Sequence, residues 1–282
     1  MIFQVDGVSF EAKEYADLSW LKQYGKVFHV FDKQDSGNLC FGVNGPYGKL
    51  FIKYAGAKPI YYSGKPESAV LRLHRASSMY EQFTHHALAP IRAHGAVDGG
   101  RGYAAIFTWI DGQCLRSLPP DPSVLHRLHH LPLQDKLSML DDVFDLHAAL
   151  AEKGYVSVDF DDSNLLIDFA RARCFVCDID RYQPRPLINT RGRMPGRSPF
   201  RAPECFQVDA SIDESTMVYE MGMLSHEFLG DPQLEDMSLW YGPDLLRRVA
   251  AAARNTKKTD RYPSMRTFLH AWRTAVRNSW IY

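Results

Sequence analysis

Up to about residue 110 the chain alternates short apolar runs with turn-forming clusters. KVFHVF (26–31) alternates apolar and polar positions and is rich in β-formers, the pattern of a half-buried strand. DKQDSGN is a turn cluster, LCFGV a second strand, NGPYG a hairpin turn and KLFIKYAG a third strand. From about Pro66 to Phe83 the period lengthens, with Ala69, Val70, Leu73, Ala76 and Tyr80 near helical spacing. APIRAHGAV and GYAAIFTWI, separated by the turn VDGGR, return to strand character. The pattern predicts a small sheet carrying one helix.

After DGQCL the character changes. SLPPDP is a proline-rich break. In LQDKLSMLDDVFDLHAALAEKGY, Leu137, Leu140, Val143, Phe144, Leu146 and Leu150 share a broad helical face, and Gly154 stands where a helix-ending glycine belongs. Two short strand-like runs follow, NLLIDF and RCFVCDI. RYQPRPLINTRGRMPGRSPFRAPE is irregular, with six arginines, and has four prolines before Ala202. STMVYEMGMLSHEFLG, PDLLRRVAAAARN and SMRTFLHAWRTAVRN read as helices. The boundary falls near residues 109–113, giving units 1–110 and 111–282.

Composition narrows the class. With 282 residues the chain can bury one large core or two small ones. The 33 basic and 33 acidic residues cancel, so neither nucleic acid nor an anionic membrane is expected as a partner. MIFQVDGVSFEAKEY has no basic, then apolar, signal-peptide pattern, and no apolar run approaches the ~20 residues of a spanning helix. Five cysteines without secretory signs point to reduced thiols and a cytoplasmic location.

The chemistry concentrates in VDFDDSN, Val158 to Asn164. Within SVDFDDSNLLID, Asp159 lies five residues before Asn164, between a long helix and a strand pair. CFVCDID then places Asp178 at a strand end, fourteen residues after Asn164. Ala202-Pro203-Glu204 reads A-P-E, IDESTMVYEMG follows, and DRYPSM lies near the end. In the first half, KLFIK carries Lys53 after two strands. These six features, in order over roughly residues 26–272, resemble the eukaryotic-like serine/threonine protein kinases of bacteria.

The resemblance implies an α+β, two-lobed kinase-like fold with ATP and Mg²⁺ as cofactors. Asp159 would accept the proton of a substrate hydroxyl, and Asn164 and Asp178 would hold metal. Lys53 would orient the α/β-phosphates. QDSGN with Gly37 would stand at the glycine-rich loop. Phe107 would be the gatekeeper, and the backbone of Thr108 and Ile110 would meet adenine. Asp178 to Glu204 would be the activation segment, and Arg261 would pair with Glu204. The acceptor would be a Ser or Thr hydroxyl of a protein. A small-molecule phosphotransferase and a nucleotide-binding pseudokinase scaffold are the alternatives.

The chain departs from the family at several positions. Ser157 and Val158 stand for the His and Arg of H-R-D, which removes the usual docking cation for a phosphorylated segment. Asp161 replaces a lysine beside the γ-phosphate, an adverse change of sign. Met217 replaces an aspartate that braces the catalytic loop. The lysine partner on the helix is unresolved, with family register landing on Ala76 and Glu81 or Glu67 as alternatives. Plainer readings are an acidic solvated loop for 159–164 and an edge-strand lysine for Lys53. Cys174 and Cys177, three apart on a strand, point to opposite faces and read as buried thiols rather than a zinc or redox pair.

Overall fold

The computed structural model describes residues 1–117 and 120–279. Leu118 and Pro119, inside the proline-rich break, and residues 280–282 lie outside the described residues. Contacts divide the chain into two compact units, 1–84 with 89–111, and 85–88 with 112 onward. The first is β-rich and the second largely helical, a mixed α+β chain.

The first unit opens with a hairpin, β1 (Ile2–Val5) and β2 (Val8–Glu11). Asp6 and Gly7 turn it with φ of 51° and 86°, the primed geometry that Asp-Gly favours. VDGV is its sequence signal. Five antiparallel strands follow, β3 (Lys26–Phe31), β4 (Asn38–Gly45), β5 (Gly48–Ala55), β6 (Ile91–Val97) and β7 (Gly102–Thr108), ordered β3-β4-β5-β7-β6. Helix α1 (Pro66–Gln82) starts on a proline at its first turn and buries Ala69, Leu73, Ala76, Ser77, Met79 and Tyr80. Lys53 sits on the central strand, opposite Cys40 and Ala105, and is 5% exposed. An edge-strand lysine is therefore excluded.

In the second unit a short strand β8 (Gln113–Cys114) is followed by α2 (Pro122–His129), α3 (Leu133–Glu152) and β9 (Tyr155–Val156). Helix α2 was not expected from the sequence. Its signal is Asp121 before Pro122, where the aspartate caps by accepting from the Ser123 amide at 3.0 Å. Strands β10 (Leu165–Asp168) and β11 (Arg173–Val176) pair antiparallel, with Cys174 buried opposite Ile167. Two minor pairings tie the irregular stretch down. β12 (Gln183–Pro184) meets β9, and β13 (Leu187–Ile188) meets β14 (Ser211–Ile212). Helices α4 (Glu214–Leu229), α5 (Asp244–Ala253) and α6 (Met265–Asn278) complete the unit. Every residue of α4 except Glu214 and Tyr219 is buried, so it is the axis on which α3, α5 and α6 pack. No helix among the described residues is long and apolar enough to cross a membrane.

Arg261 and Glu204 lock the A-P-E segment to the helical core. The guanidinium donates to Oε1 at 2.7 Å and Oε2 at 3.0 Å, and the Arg261 side chain is fully buried. Burial opposes ionisation of Glu204, but the bonds from Arg261 and Thr216 hold its carboxyl below the usual range. The pair's stabilisation is thus present at neutral pH and lost as acid protonates Glu204. Arg261→Ala strands that buried carboxylate and should cost about 3–5 kcal/mol in urea unfolding. Adding Glu204→Met should recover part of the loss. A single-mutant loss within error of zero would reject this lock.

Candidate active site

The run VDFDDSN folds as a loop closed on itself. Asp161 caps the 3₁₀ turn Asp162–Asn164, accepting from the Ser163 amide at 2.9 Å and its hydroxyl at 2.5 Å. Asn164 returns the favour, its Oδ1 accepting from the Asp161 N–H at 2.9 Å. This reciprocal cap is what short Asx side chains do at a turn. The Arg197 amide also donates to Asp161 Oδ2 at 3.1 Å. Asp161 is 6% exposed and held by the Ser163 and Arg197 donors, so it caps the turn and is not part of a solvated acidic loop.

Asp159 is placed differently. Its side chain is 27% exposed, and Oδ2 lies 3.1 Å from Arg181 Nε. Burial raises its pKa, Arg181 and Arg201 lower it, and Asp161 and Asp178 raise it, with a net rise. Gly196 lies against it with φ +107°, where an added Cβ would stand 2.9 Å from Asp159 Oδ1. Only glycine permits that approach.

Asn164 and the Asp178 strand end are neighbours, because the Cys177 N–H donates to the Asn164 carbonyl at 2.8 Å. Asp178 Oδ1 accepts from the Asp180 amide at 2.9 Å, and Ile179 between them is fully buried. The bond brings the backbones of the two segments together, and a carboxylate and an amide oxygen are the kinds of hard donor that Mg²⁺ takes. One lone pair of Asn164 Oδ1 is already taken by Asp161. Among the described residues, no group of three or more His, Cys, Asp or Glu is arranged to hold a metal.

The loop's brace was missed from sequence. Met217 removes a carboxylate, but Glu220, three residues later on the same helix face, supplies one. The Ser157 hydroxyl donates to Glu220 Oε2, and Arg201 Nη1 lies 3.0 Å from Oε1. Arg201 also donates to the carbonyls of Val158, at 2.9 Å, and Phe160. Burial pushes Glu220 up to about 8, against the pull of Arg201 and Ser157. The i, i+3 spacing from Met217 was the available signal.

A second cluster sits beside it. Arg197 donates to Asp162 at 3.0 and 3.1 Å and to Glu227 Oε1 at 3.1 Å, and Arg116 contacts both acids. Both carboxylates are fully buried, and burial with Asp162 alongside pushes Glu227 well up. At the other end of the segment, the Tyr182 hydroxyl meets buried His147 at 2.7 Å.

In the first unit, Gly37 has φ +84° and its Cβ position would fall 2.8–2.9 Å from Tyr62 and Ala69, so turn and packing both require glycine there. Arg72 holds the same loop through the Ser36 carbonyl. Thr108 donates its N–H to Pro90 at 3.0 Å, and its hydroxyl accepts from Arg92 at 2.8 Å. Phe107 is buried and Ile110 half-buried. Glu81 is exposed, 3.0 Å from His94, and Glu67 is exposed in the first turn. The buried face of α1 carries no carboxylate.

No protein-family model matches the sequence, and no curated protein matches it. Among solved structures the chain is similar to the PknI kinase domain of Mycobacterium tuberculosis, at 16% identity. That match has a TM-score of 0.60 and covers 90% of this chain and 96% of that one. The chain therefore has a kinase-domain fold in a divergent sequence.

Proposed function

We propose that the chain is an ATP- and Mg²⁺-dependent phosphotransferase acting on serine or threonine hydroxyls of proteins. The observation that carries this is Asp159, a partly open carboxylate of raised pKa on the same braced loop as Asn164, with Asp178 alongside. Asp159 takes the proton of the attacking hydroxyl. Asn164 and Asp178 hold Mg²⁺, which when bound neutralises phosphate charge. Lys53, buried on the central strand of its sheet, orients the α/β-phosphates. Thr108 and Ile110 supply backbone groups to adenine. Positioning and charge neutralisation carry the rate. Five free thiols suit a reducing cytoplasm.

A nucleotide-binding pseudokinase is the second reading. It is favoured by the Arg181 contact on Asp159 and the occupied lone pair of Asn164.

Thermal unfolding with MgATP separates the two from a chain that ignores nucleotide. At about a hundredfold over Kd, binding should stabilise by about 2.7 kcal/mol, and Lys53→Met should remove the shift. No shift in the wild type rejects both. With labelled ATP and a protein acceptor, Asp159→Asn should lower kcat by roughly 10²–10⁴-fold. Transfer that survives this change rejects Asp159 as base, and no wild-type transfer leaves the pseudokinase.

Because Asp159 must be ionised to accept a proton, kcat/KM should fall as pH drops through its raised pKa. Arg181 lowers that pKa, so Arg181→Gln should move the acid limb to higher pH. An acid limb that stays put or moves lower would show that Arg181 does not govern the base.

A further inference from the structure

Six arginines lie between Asp178 and Glu204, and four are matched by acids. Arg181 meets Asp159, Arg185 meets Glu214, Arg197 meets Asp162 and Glu227, and Arg201 meets Glu220. Arg191 and Arg193 are exposed and make no ion pair among the described residues. They stand beside three large exposed apolar side chains, Ile188 at 46%, Phe206 at 44% and Val208 at 61%.

These residues form one surface. Residues 187–194 run alongside 205–212, joined by the Leu187–Ile212 and Ile188–Ser211 pairs, by Asp209 N–H to Asn189 O at 2.8 Å and by Met194 N–H to Cys205 O at 2.8 Å. The Arg193 guanidinium lies 6.0 Å from the Phe206 ring centroid. A Cβ on Gly192 would touch Val208 at 3.4 Å. Three residues after Arg193 the chain reaches Gly196, against Asp159. That span is at most about 10 Å of extended backbone. Exposed apolar area rimmed by uncompensated charge marks an interaction surface.

We infer that this ribbon docks the acceptor protein through a segment bearing acidic and apolar residues near the target hydroxyl. The inference rests on the proposed phosphoryl transfer and names its substrate class. Acidic side chains meet Arg191 and Arg193, and apolar ones cover Ile188, Phe206 and Val208. The surface lies outside the residues assigned to nucleotide and metal.

The test uses two fluorescein-labelled peptides on the full chain. One sets a single serine among Asp, Glu and Leu, and the other carries Lys for each acid. Anisotropy reads docking without requiring transfer, and labelled ATP reads transfer. The acidic peptide should bind, and Arg191→Glu with Arg193→Glu should weaken it at least roughly tenfold while nucleotide binding is unchanged. The double reversal should shift preference towards the lysine peptide, and Phe206→Ser should weaken both. Transfer with equal use of both peptides, or no effect of the reversals, overturns the inference. So does a wild-type dimer that Phe206→Ser dissociates, which would assign the surface to a second copy. Charge-selective binding with no transfer upholds the docking surface and rejects only the proposed chemistry.

Discussion

The geometry of the loop that carries Asp159 depends on one buried contact, Arg201 with Glu220. Both side chains are 1% exposed, at the contact between the end of the activation segment and the central helix. Taking charges out of water costs several kcal/mol each, and here Arg201 Nε and Glu220 Oε1 stay without a hydrogen-bond partner, so the cost is only partly offset. Here Glu220 takes Arg201 and the Ser157 hydroxyl, and Arg201 reaches on to the Val158 and Phe160 carbonyls. Those two carbonyls flank Asp159 in sequence. The peptide units around the proposed base are thus fixed from outside the loop, while its side chain remains partly open.

The same arrangement reverses the usual polarity of the segment. In the family pattern the loop supplies an arginine and the segment a phosphate, whereas here the loop supplies Asp162 and the segment supplies Arg197 and Arg201. With Tyr182 on His147 and the β12 and β13 pairings, the segment is tied at several points by its own side chains and backbone. A phosphate is not needed to supply its order.

Period and spacing exposed much of this. The central sheet, α1, α3 and the A-P-E anchor Arg261 were legible because strand alternation, helical period and literal motifs are local signals. That Lys53 lies on a strand was legible, but its place in the middle of the sheet came only from the pairing of β5 with β4 and β7. The brace was not legible, because Glu220 is one turn away from the position the family pattern nominates, and only a helix makes positions 217 and 220 neighbours. The capping role of Asp161 was hidden for the opposite reason. Its charge is visible in sequence, but the Ser163 and Arg197 donors that absorb it are set by backbone geometry. Helix α2 escaped because prolines and histidines obscured a short apolar face.

What separates turnover from mere nucleotide binding is the state of two side chains. Asp159 is held by Arg181, a contact with both partners partly solvated, 27% and 40% exposed. Such a pair is worth little and can be exchanged for a substrate hydroxyl at small cost. Asn164 is held more firmly, since its oxygen caps the turn that shapes the loop, yet an amide oxygen carries two lone pairs and one bond leaves the other for metal. Neither contact therefore closes the site chemically. In the first unit the proposed phosphate-orienting group, Lys53, is buried on the central strand β5. Lys53 is 5% exposed, so a phosphate that reached it would meet an ammonium largely removed from water, where charge pairing is strong.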